Sequence, residues 1–357
     1  LHQIALTCIP EVGDVTARNL LSYCGTAEEI FKSKKHQLEK IPGIGPKIAG
    51  QVSNFTTFER AEKELNFIDK HQIKPYFITD EDYPKRLKNC FDAPVLLYFK
   101  GEANFNAQKV ISIVGTRNAT EYGKEICKQL MADLKIHQPL VVSGLAYGID
   151  SMAHKECVRN TIDTIGVLGH GLDRVYPAQN YSLAEKMLDC GGLLSEFPSG
   201  TTPSRENFPK RNRIIAGMAD ATIVVEASTK GGALITAEIA NSYNRDVFAF
   251  PGKVMDEYSA GCNYLIRTNR ACLISKASDL EYLMGWINNT STPKKAPPQL
   301  SLMLDLSADE KIVVDILQEK GSVAIDELAL LCQFPQSKLA MTILGLEMQG
   351  TIVALPG

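Results

Sequence analysis

The stretch SRENFPKRNRIIAGMADATIVVEAS, Ser204 to Ser228, joins a short helix to a buried strand. Its second half predicts the strand, because Ile223, Val224 and Val225 follow one another without the polar alternation of a half-exposed strand. Its first half has apolar residues that suit one side of a helix. A helix followed directly by a fully buried strand is the repeating step of an alternating α/β fold.

The same alternation extends over residues 108–287. Six apolar runs predict strands: KVISIVGT, PLVVSGLA, TIGVLGHG, GLLSEFP, ATIVVEA and DVFAFPG. The segments between them predict helices. The predicted fold class is therefore α/β, with a Rossmann-like, doubly wound, mostly parallel sheet. The preceding segment, KPYFITDEDYPKRLKNCFDAPVLLYFKG, is predicted to add one or two strands and a connecting helix.

The two ends of the chain predict smaller helical domains. Near the start, IPEVGDVTARNLL and IPGIGPKIAGQV form a near repeat that resembles tandem helix-hairpin-helix motifs. The turn amides of such motifs can hold a DNA phosphate, and a small helical bundle that uses the turns only for packing is the alternative. The predicted domains are 1–70 (helical, helix-hairpin-helix or SAM-like), 71–287 (extended Rossmann-like), 288–302 (linker) and 303–357 (winged-helix-like).

The last of these domains is predicted from three short amphipathic helices followed by the strand TIVAL. In a winged helix the third helix usually enters the DNA major groove. Here that helix offers Lys338 as its only basic residue, and phosphate contacts supply most non-specific DNA affinity. We therefore expect protein contact or packing from this domain rather than DNA binding.

Composition narrows the function classes. The 357 residues are 45% hydrophobic and 22% charged, as in an ordinary globular protein, and the net charge of −3 means that a polyanion must be met by a local basic patch. Nine cysteines without a C-x-x-C pair indicate neither a disulfide framework nor a zinc site. The start of the chain is a poor signal peptide and no apolar stretch has membrane-spanning length. We expect a reduced, cytoplasmic protein without a membrane partner.

Glycine-rich loops at the carboxyl ends of the predicted strands indicate a binding site for an anion. Ligands of doubly wound sheets bind beyond these strand ends, and glycines let backbone amides approach a phosphate. The candidate residues on the loops are Gly115, Thr116, Arg117, Ser143, Gly144, Gly169 and Gly171.

Four cations stand at the head of the helix in the opening stretch, where the helix dipole would favour acids. They are Arg205, Lys210, Arg211 and Arg213. A bound anion in the glycine-lined crevice would account for them, with Arg117 opposite. Phe208 and Tyr176 add aromatic rings, and cations interleaved with aromatics suit single-stranded nucleic acid. In the alternative interpretation, these arginines form structural ion pairs with Glu196, Glu206 and Glu226.

No cofactor or metal is predicted. The run from Gly169 lacks the third glycine of a dinucleotide fingerprint, since Arg174 stands there, and Asn118 replaces the first glycine of a phosphate loop. Asp150, Ser151 and His154 suit a capping acid and a packed histidine better than a catalytic set. No second His or Cys stands at metal spacing beside His170.

Seven motifs, in order, resemble the DNA processing protein A family, DprA or Smf. They are VGTRNATEYG, VVSGLAYGIDSMAHK, GVLGHGLDRVYPAQN, LLSEFPSGTTPSRENFPKRNRIIAG, ADATIVVEAS, GGALITAEIA and RDVFAFPGKVMDEYSAGCNYLI. The resemblance covers residues 73–279. It implies a bacterial cytoplasmic protein, not an enzyme, that binds and protects incoming single-stranded DNA. It also implies a homodimer through the Rossmann domain and loading of the RecA recombinase during natural transformation and recombination.

The resemblance also implies particular site residues. Gly115, Thr116 and Arg117 match the family's G-[ST]-R anion motif. The positions that line its DNA pocket are matched by Arg205, Phe208, Arg211 and Asn212. Ala178 departs from the pattern, because many members carry Lys there, and we expect this to weaken one edge contact.

An enzyme is the competing class. Nucleotide phosphoribohydrolases that resemble lysine decarboxylases use a related Rossmann domain, with a P-G-G-x-G-T-x-x-E loop that binds phosphate and supplies a catalytic Glu. This chain keeps Gly231, Gly232 and Glu238 but has Lys230, Leu234 and Ile235 at the other motif positions. The departures argue against the hydrolase.

Overall fold

A computed structural model describes residues 1–286, 306–321, 323 and 325–353. It divides into two compact units, Leu1–Ile287 and Asn288–Gly357. The predicted helical and Rossmann-like domains thus fall within one unit, and their boundary stays a prediction. The predicted linker, 288–302, lies outside the described residues.

The first unit begins with six helices. They are α1 (His2–Cys8), α2 (Asp14–Cys24), α3 (Ala27–Lys32), α4 (Lys35–Leu38), α5 (Pro46–Ser53) and α6 (Glu59–His71). The near repeat supplies the turns before α2 and α5, with Gly13 and Gly45 as the residues that precede them. The left-handed backbone lies two residues earlier in each copy, at Glu11 and at Gly43. Because Gly43 has a φ of 79°, this glycine is the one that the turn requires.

One sheet of nine strands forms the centre of this unit. The strands are β1 (Lys74–Phe77), β2 (Leu96–Glu102), β3 (Val110–Val114), β4 (Leu140–Ser143), β5 (Thr164–Leu168), β6 (Gly191–Ser195), β7 (Ala221–Val224), β8 (Asp246–Ala249) and β9 (Cys272–Leu273). Their order is β1-β2-β6-β5-β4-β3-β7-β8-β9. From β6 to β9 all neighbours are parallel, whereas β2 is antiparallel to both β6 and β1. The predicted mostly parallel sheet is confirmed.

Eight helices accompany the sheet. They are α7 (Lys85–Lys88), α8 (Glu121–Leu134), α9 (Ile149–Asn160), α10 (Tyr181–Met187), α11 (Asn207–Met218), α12 (Gly232–Ser242), α13 (Glu257–Arg267) and α14 (Ala277–Leu283). Alternate residues of β3 serve different cores: Ile111 and Ile113 pack with residues of α8 and α9, whereas Val110 and Val114 belong to the core that includes residues of α11 and α12. Helices therefore cover both faces, which is the doubly wound arrangement.

The described residues of the second unit form three helices, α15 (Ala308–Lys320), α16 (Ile325–Cys332) and α17 (Gln336–Met348). Val313, Leu328, Leu339 and Leu346 form its core. The three helices predicted from the sequence are present. For the predicted strand TIVAL, the described part, Thr351–Val353, is not in a strand, and the rest lies outside the described residues.

No helix in the described parts of the chain is long and apolar enough to span a bilayer.

Candidate nucleic-acid interface

A crevice of about 540 Å³ opens at the point where the chain changes direction across the sheet. From β3 the chain runs outward through β4, β5 and β6, and it then returns to β7 on the other side of β3. Loops after β3 and β7 consequently diverge and leave a gap between them, as expected at a topological switch point. The loop after β3, the loop after β7 and the first turns of α11 line this gap.

The loop after β3 is held rigidly by close backbone contacts. Thr116 donates its amide hydrogen to the Glu226 carbonyl at 2.7 Å and accepts a hydrogen bond from the Ile149 amide at 3.1 Å. A Cβ atom on Gly115 would lie 2.5 Å from the Ile149 side chain, so only glycine fits there. Arg117 follows at once. Its side chain is exposed and makes no ion pair or side-chain hydrogen bond with the residues that the structure describes.

Phe208, in the first turn of α11, forms the aromatic wall of the crevice. The Arg117 guanidinium carbon lies 5.5 Å from the centre of its ring, and that of Arg211 lies 5.9 Å away. The Tyr176 ring is 6.2 Å from the Phe208 ring. Both cations thus stand at cation–π distance from one ring. The crevice can offer a flat apolar surface and positive charge to the same ligand.

Arg211 is buried, with only 5% of its surface exposed. Its Nη1 donates to the carbonyl oxygens of Gly144 and Val167, at the ends of β4 and β5. A Cβ atom on Gly144 would lie 2.1 Å from this Nη1, so glycine makes room for the guanidinium. Burial lowers the pKa of Arg211 to about 10, against the opposing effect of Asp150, and the side chain stays charged at neutral pH.

Asp150 is the carboxylate beside Arg211. Its Oδ2 accepts a hydrogen bond from the Gly144 amide at 3.1 Å. Burial raises the pKa of Asp150, and the Arg211 charge opposes that shift. Arg211 therefore has two roles. It lines the crevice, and its positive charge offsets the negative charge of the buried Asp150.

Seven of the thirteen predicted site residues line the crevice: Gly115, Thr116, Arg117, Arg205, Phe208, Arg211 and Asn212. Gly144 and Gly169 lie behind this lining, close to Arg211 and Phe208 respectively. Ser143 is buried and donates to the Ile113 carbonyl at 2.6 Å. Gly171 packs against Pro198 and Ser199. The last two positions are part of the framework and do not line the crevice.

Lys210 and Arg213 differ from the prediction, because the structure does not bring them to the crevice. They line a separate depression toward the amino end of α2. Arg213 forms ion pairs with Glu196 and with Asp14, at 2.9 Å for the latter. The structural interpretation therefore holds for Arg213. Two of the four cations, Arg205 and Arg211, lie at the crevice.

The crevice also contains residues absent from the predicted set. Asn118, Lys230 and Tyr258 line it, and the Asn118 amide donates to the Tyr258 hydroxyl at 3.2 Å. Lys230 stands directly before Gly231 and Gly232, just after the predicted strand ATIVVEA, and could have been chosen from the sequence. Tyr258 lies in the last of the seven family motifs, but only the fold shows that it reaches the site, from α13 beyond the last predicted strand.

The two histidines considered in the sequence analysis lie in the interior. His154 is fully buried, and its Nδ1 hydrogen-bonds to the Thr164 hydroxyl at 2.7 Å. His170 is also buried, and its Nδ1 lies 2.9 Å from the Gly171 carbonyl. The described residues include no cluster of three or more His, Cys, Asp or Glu side chains suited to a metal ion.

Glu238, the position of the catalytic acid in the hydrolase alternative, is not among the residues that line the crevice. It pairs with Arg270, and about half of each side chain is exposed. Residues of the next turn back, Ile235 and Thr236, face the crevice instead. The geometry thus gives no support to a catalytic Glu at this position.

Models of known protein families match almost the whole chain. The model for DNA recombination-mediator protein A matches residues 74–284, that for a helix-hairpin-helix motif matches 4–64, and that for the DprA winged helix domain matches 292–357. Protein Smf of Synechocystis sp. is 32% identical over 393 residues, which cover 100% of this chain and 97% of the relative.

Among the similar solved structures are two of DNA processing protein A. The X-ray structure of DNA processing protein A from Streptococcus pneumoniae gives a TM-score of 0.67 at 30% identity and covers 79% of this chain and 95% of that one. DNA processing protein A from Helicobacter pylori gives a TM-score of 0.55 at 26% identity, over 60% of this chain and 96% of that one. The latter structure was described for its single-stranded DNA binding mode.

Proposed function

Since this chain belongs to the DNA recombination-mediator protein A family, also called DprA or Smf, we propose that its crevice binds single-stranded DNA. Membership confirms the family resemblance found in the motifs, and the winged helix and helix-hairpin-helix matches accord with the predicted fold class. The Helicobacter pylori relative's single-stranded DNA binding mode supports the proposal by analogy.

The observation that carries the proposal is the pairing of Arg117 with Phe208 at the switch point. Arg117 is exposed and, within the described residues, forms no ion pair. Phe208 lies 5.5 Å from its guanidinium. A phosphate can take the arginine while an unpaired base stacks on the ring, a contact that contributes about 1–3 kcal/mol per base. In a duplex the bases are already stacked on one another and cannot reach Phe208.

The proposal extends to the biological role. The bound strand is incoming DNA that the protein protects, and the RecA recombinase is loaded on it during natural transformation and recombination. The protein acts in the cytoplasm as a homodimer through the Rossmann-like domain, by binding rather than by catalysis. These statements rest on the family and on the crevice, whose side chains suit anion binding.

The first prediction is a preference for single strands. In a fluorescence titration, a labelled single strand should bind more tightly than the blunt duplex of the same sequence, because only unpaired bases can enter the crevice. The logarithm of the affinity should fall with the logarithm of salt concentration by about 0.7 for each phosphate contacted. Equal affinity for the two forms would contradict the proposal.

The same preparations test the enzyme alternative. Incubation with nucleoside monophosphates should release no free base, since Glu238 pairs with Arg270 and lies away from the crevice. Base release that Glu238→Gln abolishes would assign the protein to the hydrolases instead.

A further inference from the structure

A second depression, of about 550 Å³, adjoins the crevice. The two share Arg117 and Asn118, which stand between them. The amino end of α9 and one side of α8 form the rest of the depression. A strand that leaves the crevice over Arg117 therefore passes directly into it.

The depression is lined by three cations and no acid: Arg117, Lys124 and Lys155. Lys155 is exposed and makes no ion pair or side-chain hydrogen bond within the described residues. Lys124 is paired with Glu121 at 2.6 Å, but 90% of that glutamate side chain faces solvent and the pair is weak. The potential in the depression is therefore positive, and it favours an anion.

Tyr147 supplies an aromatic ring at the same place. The residue is 41% exposed, and its hydroxyl donates to the Gln179 side-chain oxygen at 2.5 Å. The ring is thus anchored at its tip while much of it remains open to solvent. A ring held in this way can stack on a base with little loss of conformational entropy.

The crevice itself is not lined by cations alone. Glu257 also lines it, and a phosphate close to this carboxylate would be repelled. The side toward Arg117 has cations and an aromatic ring, which are the two features of a path for a single strand.

We propose that the depression lined by Lys124, Tyr147 and Lys155 binds the next nucleotides of the strand that occupies the crevice. Lys155 contacts a phosphate, and the ring of Tyr147 stacks on a base. This inference rests on the proposed single-strand binding and adds a second subsite to it. The protein should therefore hold a longer segment of DNA than the crevice alone could.

The test is a length series. Oligothymidylates from two to twelve nucleotides compete with a labelled strand for wild type, Lys155→Ala and Tyr147→Ala. The affinity of each variant should equal that of wild type at the shortest length that binds. At twelve nucleotides it should be weaker by about fivefold or more, equivalent to about 1 kcal/mol. Lys155→Ala should also reduce the salt slope for the longest strand by about 0.7, the value for one phosphate.

Two further variants serve as controls. Lys128→Ala removes an equal charge from α8 at a residue outside both depressions and should behave as wild type at every length. Tyr147→Phe keeps the ring without the bond to Gln179, so it should retain most of the affinity. Melting curves of each variant establish that the fold is intact, and affinities are compared per folded molecule.

The outcomes separate the two proposals. If Lys155→Ala and Tyr147→Ala equal Lys128→Ala at all lengths while Arg117→Ala loses binding, the subsite does not exist and the crevice still binds DNA. If wild type binds no single strand of any length, the proposed function fails, and the subsite fails with it.

Discussion

Two arginines of the crevice have different surroundings, and their substitution by alanine should have different effects. Arg117 is exposed and unpaired among the described residues, whereas Arg211 is buried, bonded to two carbonyl oxygens and next to Asp150. Arg117→Ala should therefore weaken single-strand binding about tenfold or more, because a charge-assisted contact contributes about 1.5–3 kcal/mol. Its melting temperature should not change.

Arg211→Ala should lower the melting temperature as well, since it strands a buried carboxylate at a cost of about 3 kcal/mol. Binding and melting are measured on the same samples. Equal melting losses in the two variants would show that Arg117 also holds its loop, and an unchanged affinity for Arg117→Ala would remove it from the site.

His154 gives a prediction about pH. Burial lowers its pKa from the ordinary 6.5 to about 3, so the folded protein keeps it neutral while the unfolded chain takes up a proton below pH 6.5. The contribution of a neutral His154 to stability is thus fully present above pH 6.5. It is lost as the pH falls toward 3, because only the unfolded chain gains the proton. Between pH 7 and pH 5 the free energy of unfolding should fall by about 2 kcal/mol more in wild type than in His154→Gln.

This difference is measured by denaturant titration at both pH values. Parallel curves for the two proteins would mean that His154 is accessible to protons in the folded state, as a catalytic histidine would be.

At the level of single residues, the sequence predicts the position of a side chain better when its contacts are close in sequence. Gly115, Thr116 and Arg117 follow a buried strand directly, and their place at the strand end follows from the fold. Arg213 could not be assigned in this way. Its partner Asp14 lies in the first helical segment of the chain, and a single sequence does not show that the two elements meet.

At the scale of elements, α11 is fixed to its neighbours by Arg213. The side chain is 12% exposed and bonds to Glu196 at the end of β6 and to Asp14 at the start of α2. Burial raises the pKa of Glu196 to about 7, against the opposing effect of Arg213, so this acid depends on its partner to stay ionised. The contact joins three elements at one point.

Arg213→Ala should consequently destabilise the first unit by about 3 kcal/mol, the cost of breaking a buried ion pair. Single-strand affinity per folded molecule should stay within about twofold, because Arg213 does not line the crevice. Arg270→Ala is the control, since its exposed pair with Glu238 contributes at most about 1 kcal/mol. Denaturant midpoints and titrations give both quantities, and a selective loss of affinity would place Arg213 back in the DNA site.

Most elements of the sheet were predictable, because long apolar runs between amphipathic helices leave few alternatives. Each of the six predicted strands is present, although β3 ends at Val114 and the predicted run continued to Thr116. It ends there because Gly115 begins the loop that approaches Ile149 and Glu226. The edge strand β9 was not predicted, because the apolar run that contains it, residues 271–274, is only four residues long and both strand residues, Cys272 and Leu273, are exposed.

At the scale of the whole molecule, the crevice belongs entirely to the first unit. The third helix of the second unit, α17, carries Lys338, which is paired with Asp309 at 2.8 Å. This helix therefore has little unpaired positive charge for DNA, and the expectation that the unit packs or contacts a protein stays a prediction.

Removal of residues 288–357 should leave single-strand affinity within about tenfold of the full chain, or about 1.4 kcal/mol. Gel shift assays compare the two proteins, after melting curves show that the shortened chain is folded. A larger loss would move a major part of the DNA site to the second unit.

The position of β3 between β4 and β7 has a consequence for synthesis on the ribosome. The loop with Arg117 emerges early, but its opposite wall, on α11 and beyond β7, is made only after three further strands have left the tunnel. A nascent chain that stops at β6 carries the arginine without Phe208. The crevice is therefore complete only after α11 and β7 have been made, and the proposed binding of DNA should begin only at that stage.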